Sequence, residues 1–436
     1  MSYGNRRVFS ATVAAFCALA GVAAAAQQDE EKPPRETRPA EPAAPPRPQE
    51  FRFSYSYNFS YPRHLDRDNI ASLTMASTDA IHLALQDESD DPWYFRVPKW
   101  GVAFAIDSAI RYVAHEYGHL SSFSKAGYRQ ALFGDKDKIM TSAPKASIGK
   151  MFINGFNPFD DSAVSISQSD WNHILDEMGN DPVKVGRFKV LVKGGGLNQE
   201  AVDLEHYSER LLDGRMSFLD TMPFVISGAA VLRYPVDISM SDVGDYITEL
   251  RALGNRTTVG QVQRLSAATL LSGSTLAAMR GFFLGLTSGQ GGMVEPFALR
   301  MSDDTKVFAP ELENFLSQYG PTLKPSIPFK LYDWWVRPSY EILFAGGASM
   351  TELGLSVRGP ILPFLALRGA GYKNSDGGTW IESGVEILPL SWLSFTLGYA
   401  WAREYSIHRD VYGSSNDILK RAEAGFNLGL SAWHQF

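Results

Sequence analysis

Residues 51 to 61 read FRFSYSYNFSY, aromatic at every odd position and Arg, Ser or Asn at every even one. Successive side chains of a strand point to opposite faces, so this pattern predicts a β-strand with one wholly aromatic face. The alternation then lapses, returns at Ile327 and persists to the end of the chain. In TELGLSVR, residues 351 to 358, Leu353, Leu355 and Val357 oppose Glu352, Ser356 and Arg358. Further strands are expected over 330–336, 340–344, 363–372, 379–388, 392–405 and 422–436, some separated by turn material such as Asn374-Ser375-Asp376-Gly377-Gly378. Many lie near the roughly 9 to 11 residues that a tilted strand needs to cross a bilayer.

Between these two regions, over 62–326, the period is helical. Apolar periodic segments occupy 101–121, 216–232 and 261–287. Asp107, Arg111, Asp220 and Arg280 sit inside them, and charges at bilayer depth are costly, so buried helices of a globular domain are expected rather than membrane spans. At the other end of the chain, residues 1–26 join Arg6 and Arg7 to an apolar run that closes on Ala24 and Ala26, the form of a secretory signal peptide. The single cysteine, Cys17, lies in it, leaving a mature chain without disulfides or thiolate ligands. Seven prolines between Pro33 and Pro48 make 27–50 an extended, disordered linker. A formal charge of -7 gives no footprint for nucleic acid.

The chemistry concentrates in His115-Glu116-Tyr117-Gly118-His119. Histidines four apart share one face of a helix, with Glu116 beside them. On a helical wheel, Phe104, Ser108, Arg111 and Tyr112 fall on the histidine face. Val102, Ala103, Ile106, Ala109, Ile110, Val113, Ala114 and Leu120 form the opposite half, so the helix is expected to pack by that half and line a cleft by the other. The motif resembles that of the HExxH zinc metallopeptidases, the zincins. The resemblance implies Zn2+ held by His115 and His119, with Glu116 as general base. The longer metzincin extension is missing, Lys125 and Ala126 standing in its place, and in the glutamate-zincin branch the third ligand is a Glu on a downstream helix.

Residues 194–212 read as a glycine loop, a capping Asn198 and a helix on which Glu200, Leu204, Tyr207 and Leu211 share a face. A carboxylate centred on an apolar face needs a partner or a metal, which makes Glu200 the expected third ligand. Glu205 and Asp213 remain alternatives. Asp213, in Leu212-Asp213-Gly214, together with Gly127 resembles the pattern of the site-2 intramembrane proteases. Tyr207 is read as a core residue or an oxyanion donor, and His206 as a surface histidine. His64, His82, His173, His408 and His434 lack ligand-like spacing.

The last strand places Phe426, Leu428, Leu430, Ala432 and the terminal Phe436 on one face, and here the chain resembles outer-membrane β-barrel proteins, although His434 departs from the pattern. The fold expected is α+β: a helical zincin-like domain (62–326) inserted in, or preceding, a small antiparallel barrel of about eight strands built from 327–436 with 51–61. The function expected is zinc-dependent hydrolysis of a polypeptide at the cell envelope, in contact with outer-membrane lipid or in the periplasm. An assembly or binding protein with a structural metal, and a site-2-type protease, are the alternatives.

Overall fold

The computed structural model describes residues 50–58, 66–85, 93–125, 168–233, 242–288, 293–345, 348–390, 392–403, 407 and 424–435. The leader, and the linker apart from Glu50, lie outside the described residues. Strand β1 (Glu50–Asn58) is followed by helices α1 (Arg67–Leu85), α2 (Trp93–Lys125), α3 (Gln168–Glu177), α4 (Pro182–Lys193) and α5 (Gly195–Leu212). Helices α6 (Thr221–Arg233), α7 (Asp242–Ala252), α8 (Val259–Ala268) and α9 (Gly273–Ser288) come next. The periodic segment at 261–287 is thus two helices, broken at Ser272 and bent by 63°.

Strands then run to the end: β2 (Ala298–Ser302), β3 (Thr305–Phe308), β4 (Glu311–Glu313), β5 (Leu316–Ser317), β6 (Gly320–Ser326), β7 (Phe329–Leu331) and β8 (Trp334–Ala345). The longer ones follow as β9 (Ala348–Leu362), β10 (Leu365–Asn374), β11 (Thr379–Leu390), β12 (Leu393–Arg403) and β13 (Ala424–Gln435). They start at Ala298, inside the stretch whose period reads as helical, because β2 to β6 are short and carry no sustained alternation.

All pairings are antiparallel, and β1 pairs with β13 across the whole length of the chain. Two expectations are corrected. Eight strands, β1 and β7 to β13, do lie in the region expected to form the barrel, but among the described residues the sheet has 13, because β2 to β6 join it from residues 298–326, and it does not close on itself: its path runs from β1 through β13 and back down to β7, β3 and β2. The free edge of β1 lies against α1, where Ser72 Oγ accepts the Ser54 N–H at 2.7 Å. A helix there does what a further strand would do for an exposed edge.

The two faces of this sheet are reversed relative to a water-soluble sandwich. Leu353, Leu397 and Phe426 point outward at 65, 57 and 58 % exposure, joined by Leu355, Ile381, Ile387, Phe395, Leu428 and Leu430. The register sets Phe53 of β1 opposite Ala432 and Tyr55 opposite Leu430. The inner face carries Arg52, Arg337, Arg358, Arg368, Glu382 and Glu386, which line a chamber of about 410 Å³ against α1 and α5.

Helix α5 runs through the middle and has two different sides. Tyr207 and Leu211 pack with Met216, Phe224, Ala277, Ala278 and Val294 in an apolar cluster. On the other side Glu205 meets Arg337 at 3.1 Å and Lys324 at 3.5 Å, and Asp213 meets Arg358 at 3.2 Å. The helix is therefore bolted to the sheet by ion pairs and to the other helices by hydrophobic contact.

Candidate metal centre

The histidine helix α2 is approached unusually closely by the start of α5. A Cβ on Gly118 would lie 2.5 Å from the Gly195 carbonyl oxygen, and one on Gly195 would lie 2.7 Å from that of Gly118. Only glycine allows two backbones this near. Residues 195 and 196 are accordingly the first turn of a helix rather than a loop. Asn198 is no cap either: its side chain accepts from Leu316 N–H at 2.6 Å and donates to the Leu316 carbonyl at 2.9 Å, tying α5 to β5.

Helix α2 is not divided into a packed half and a cleft-lining half as expected. Ala103, Ala109, Ala114 and Leu120 of the apolar half are buried, but so are Arg111, His115 and His119 on the histidine face, while Phe104 on that face and Val102 on the other are exposed. The wheel missed the second packed side because it counts only apolar side chains. Arg111 is buried by an ion pair with Asp203 and by stacking 4.7 Å over the Tyr207 ring.

The atoms that meet at the histidines are well defined. His115 Nε2 lies 3.0 Å, and His119 Nε2 3.3 Å, from the same Asp242 carboxylate oxygen. One ligand atom from each of His115, His119 and Asp242 falls within 4.8 Å of the others. Behind the rings, His119 Nδ1 is 2.7 Å from the Val192 carbonyl, in the last turn of α4. His115 Nδ1 is 3.8 Å from Glu200 Oε1. His119 is thus oriented from behind by a backbone carbonyl, as ligands of metal sites are, and Glu200 supplies negative charge behind His115.

Charge follows the geometry. Burial alone would lower the pKa of His119, but the Asp242 carboxylate outweighs it and pushes the value up to about 9. Burial raises Asp242 in turn, and His119 and His115 more than offset that, leaving its carboxyl well below the usual range. Glu200 is raised, chiefly by burial, with Arg111 and His115 opposing.

Among the expected ligands, the structure brings His115 and His119 together and leaves Glu200 outside the group. Its carboxylate faces Nδ1 of His115 and not the point where the two Nε2 atoms meet. Glu205 and Asp213 are engaged with the sheet cations, and burial of Asp213 is overcome by Arg358 and Arg215, which lower its pKa. Tyr207 is a core residue whose hydroxyl lies 2.8 Å from Thr78 Oγ1. His206 is half-buried, 3.1 Å from Asp68. Glu116 is buried on α2 between the two histidines.

The residue missed by sequence reasoning is Asp242. It opens α7, an amphipathic helix whose Val243, Tyr246, Ile247 and Leu250 are buried against α4 and α5. That apolar spacing was legible. The acid was not, because carboxylates are common in a first turn for reasons of helix dipole alone.

No family model matches the chain, and no curated protein matches it. Three solved structures of one outer membrane protein of Vibrio cholerae, OmpT, are similar to part of the chain. Its loop L8 deletion mutant is 11 % identical with a TM-score of 0.22, covering 31 % of this chain and 51 % of that one. The in-vitro folded form is 13 % identical with a TM-score of 0.21, covering 31 % and 53 %. The outer-membrane expressed form is 12 % identical with a TM-score of 0.22, covering 32 % and 54 %. The chain spans about half the length of these proteins, and likeness of this degree carries no inference of activity.

Proposed function

We propose that this chain is a zinc-dependent peptidase of the outer membrane. The observation that carries the hydrolytic part is the convergence of His115 Nε2, His119 Nε2 and the Asp242 carboxylate, with His119 Nδ1 held by the Val192 carbonyl and the Glu200 carboxylate 3.8 Å from His115 Nδ1. Two imidazoles and one carboxylate are the donor set of catalytic zinc sites that keep a fourth position open. They fit a divalent ion better than a structural thiolate site, since the only cysteine is Cys17. A zinc ion there would supply Lewis acidity, activating water and polarising a scissile carbonyl. Glu116, one residue along from His115, would accept the proton of water on its carboxylate and return it to the leaving amine. The Val192 carbonyl holds the His119 ring, while Asp242 brings the negative charge that two neutral imidazoles lack.

Residence in the outer membrane rests on the reversed sheet. A contiguous apolar exterior over long strands, with charged residues turned inward, is the pattern of a transmembrane barrel wall and is unusual on a soluble monomer. The deciding experiment for the chemistry uses the purified full chain, its zinc content and its hydrolysis of an unstructured protein. Glu116→Gln keeps the metal and loses hydrolysis. Parent-like turnover by that variant would remove the mechanism.

A further inference from the structure

An open sheet edge is not stable against hydrocarbon, because its backbone groups would have no partners there. The sheet nevertheless ends at β1 on one side, and on the other the long strands end at β8. What lies between is a continuous course of helices: β1 packs on α1, α1 on α2, α2 on α6, α6 on α9, and α9 on β4, which pairs with β6 and through it with β8. The junctions are firm. Phe218 stands between α2 and α9, 4.9 Å from Trp100 and 6.2 Å from Phe282, and a Cβ on Gly285 would lie 2.0 Å from its ring. Glu311 of β4 accepts hydrogen bonds from Ser274 N–H and Oγ at 3.0 and 2.7 Å.

The outer surface of this course has the composition of the outer sheet face. On α9 the exposed positions 276, 279, 280, 283 and 284 follow one helical stripe and are Leu, Met, Arg, Phe and Leu. On the first half of α2 the exposed positions among the described side chains are Tyr94, Val97, Pro98, Gly101, Val102 and Phe104, with Lys99 half-buried. Leu73 on α1 and Val225 on α6 are exposed as well. The buried sides of α1 and α2 carry Asp79, His82, Asp107 and Arg111 among apolar residues such as Ile70, Ala103 and Ala109, whereas their exposed positions include Leu73, Val97, Val102 and Phe104. Large apolar side chains left outside while ionisable ones are enclosed are unusual for a globular domain in water.

We infer that α1, α2, α6 and α9 complete the wall that the strands leave open, and that the exposed stripes of α2 and α9 contact acyl chains. This rests on the outer-membrane reading of the sheet and extends it to the helix that bears His115 and His119. His115 and His119 lie farther along α2, where the helix is buried.

The test uses the full chain with C17S, so that a single introduced thiol can carry an environment-sensitive fluorophore. Four variants suffice: Phe104→Cys and Met279→Cys on the helical wall, Leu397→Cys on the sheet, and Val183→Cys, exposed on α4 outside the wall. Each is placed in phosphatidylcholine and phosphatidylglycerol vesicles with and without nitroxide-bearing acyl chains, and heat-modifiable migration checks its fold. Quenching at 104 and 279 is expected within two-fold of that at 397, with none at 183. Quenching at 397 alone would overturn the helical wall and leave the sheet reading intact. Thiols at 104 and 279 that resist labelling would overturn it in favour of a covering protein. Absence of quenching at all four would remove the membrane reading and this inference together, and equal quenching at 183 would show contact without specificity and overturn it too.

Discussion

Gly196→Ala is the most economical perturbation of the metal centre, because it adds one methyl group and removes nothing. A Cβ at 196 would lie 2.2 Å from His115 Nε2 and 2.5 Å from both Cδ2 and Cε1. Equal distances to the two carbons place the methyl over the ring rather than along the Nε2 lone pair, so it presses the imidazole sideways. Restoring an ordinary contact requires a displacement of roughly 1 Å in a close-packed interior. Metal–ligand distances tolerate about 0.2 Å. A loss of zinc affinity of about 10- to 100-fold follows, of the size seen when ligand orientation is disturbed, or about 1.4–2.7 kcal/mol. Alanine also gains up to about 1 kcal/mol of helix propensity, so the metal-free thermal midpoint falls less than the zinc content does. Two comparison variants separate the effects. Gly118→Ala meets the Gly195 carbonyl at 2.5 Å and should destabilise the fold by about 1–3 kcal/mol. Gly101→Ala has nothing within 4 Å and should be neutral or stabilising. Zinc titration followed by competition with a chelator gives the affinity. Parent-like affinity in Gly196→Ala would refute the role assigned to the His115 ring.

Ligand identity is open to a direct comparison: Asp242→Asn should lose zinc, whereas Glu200→Gln, still able to accept from Nδ1, should keep it at reduced affinity; the reverse result restores Glu200 as ligand. Stability should also depend on pH through His82, which lies 3.0 Å from both Asp107 and Asp220. Burial would lower its pKa, but the two carboxylates push it up to about 10 from 6.5, so its contribution is complete below pH 6.5 and lost as pH rises through about 10. Chemical denaturation from pH 6 to 10 should show this decline in the parent and a flatter profile in His82→Gln, and identical slopes would exclude the clamp.

Much of the sheet was legible because alternation is a local property. The segments expected at 351–358, 363–372, 379–388 and 392–405 correspond to β9 to β12, displaced by a few residues at their ends. The strands expected at 330–336 and 340–344 are cut elsewhere: β7 ends at Leu331, and β8 runs from Trp334 to Ala345 straight through Pro338. The histidine motif was legible for the same reason, since His115 and His119 sit on one helix. What failed depends on contacts between segments distant in sequence. Whether Glu200 or Asp242 faces the two Nε2 atoms is decided by how α7 docks beside α4, and the acids of α5 are sorted by the sheet cations that reach Glu205 and Asp213 from more than a hundred residues away.

The charged residues of the helices carried the most misleading signal. Asp107, Asp220 and Arg111 argue against lipid when read one at a time, because an unpaired charge in hydrocarbon is costly. In the structure each is buried with a partner: Asp107 and Asp220 hold His82, Arg111 holds Asp203, and Arg210 joins Asp79 and Asp220 to the same network. A charge on the inner side of a wall says nothing about what touches the outer side. Under the proposed wall the composition of the exposed stripe decides, and among the described side chains of α2 and α9 it holds Val97, Val102, Phe104, Leu276, Met279 and Phe283, with Arg280 as a cation. No single described helix is long and apolar enough to cross a membrane, so that wall takes lipid on one face of each helix and keeps the charges behind it.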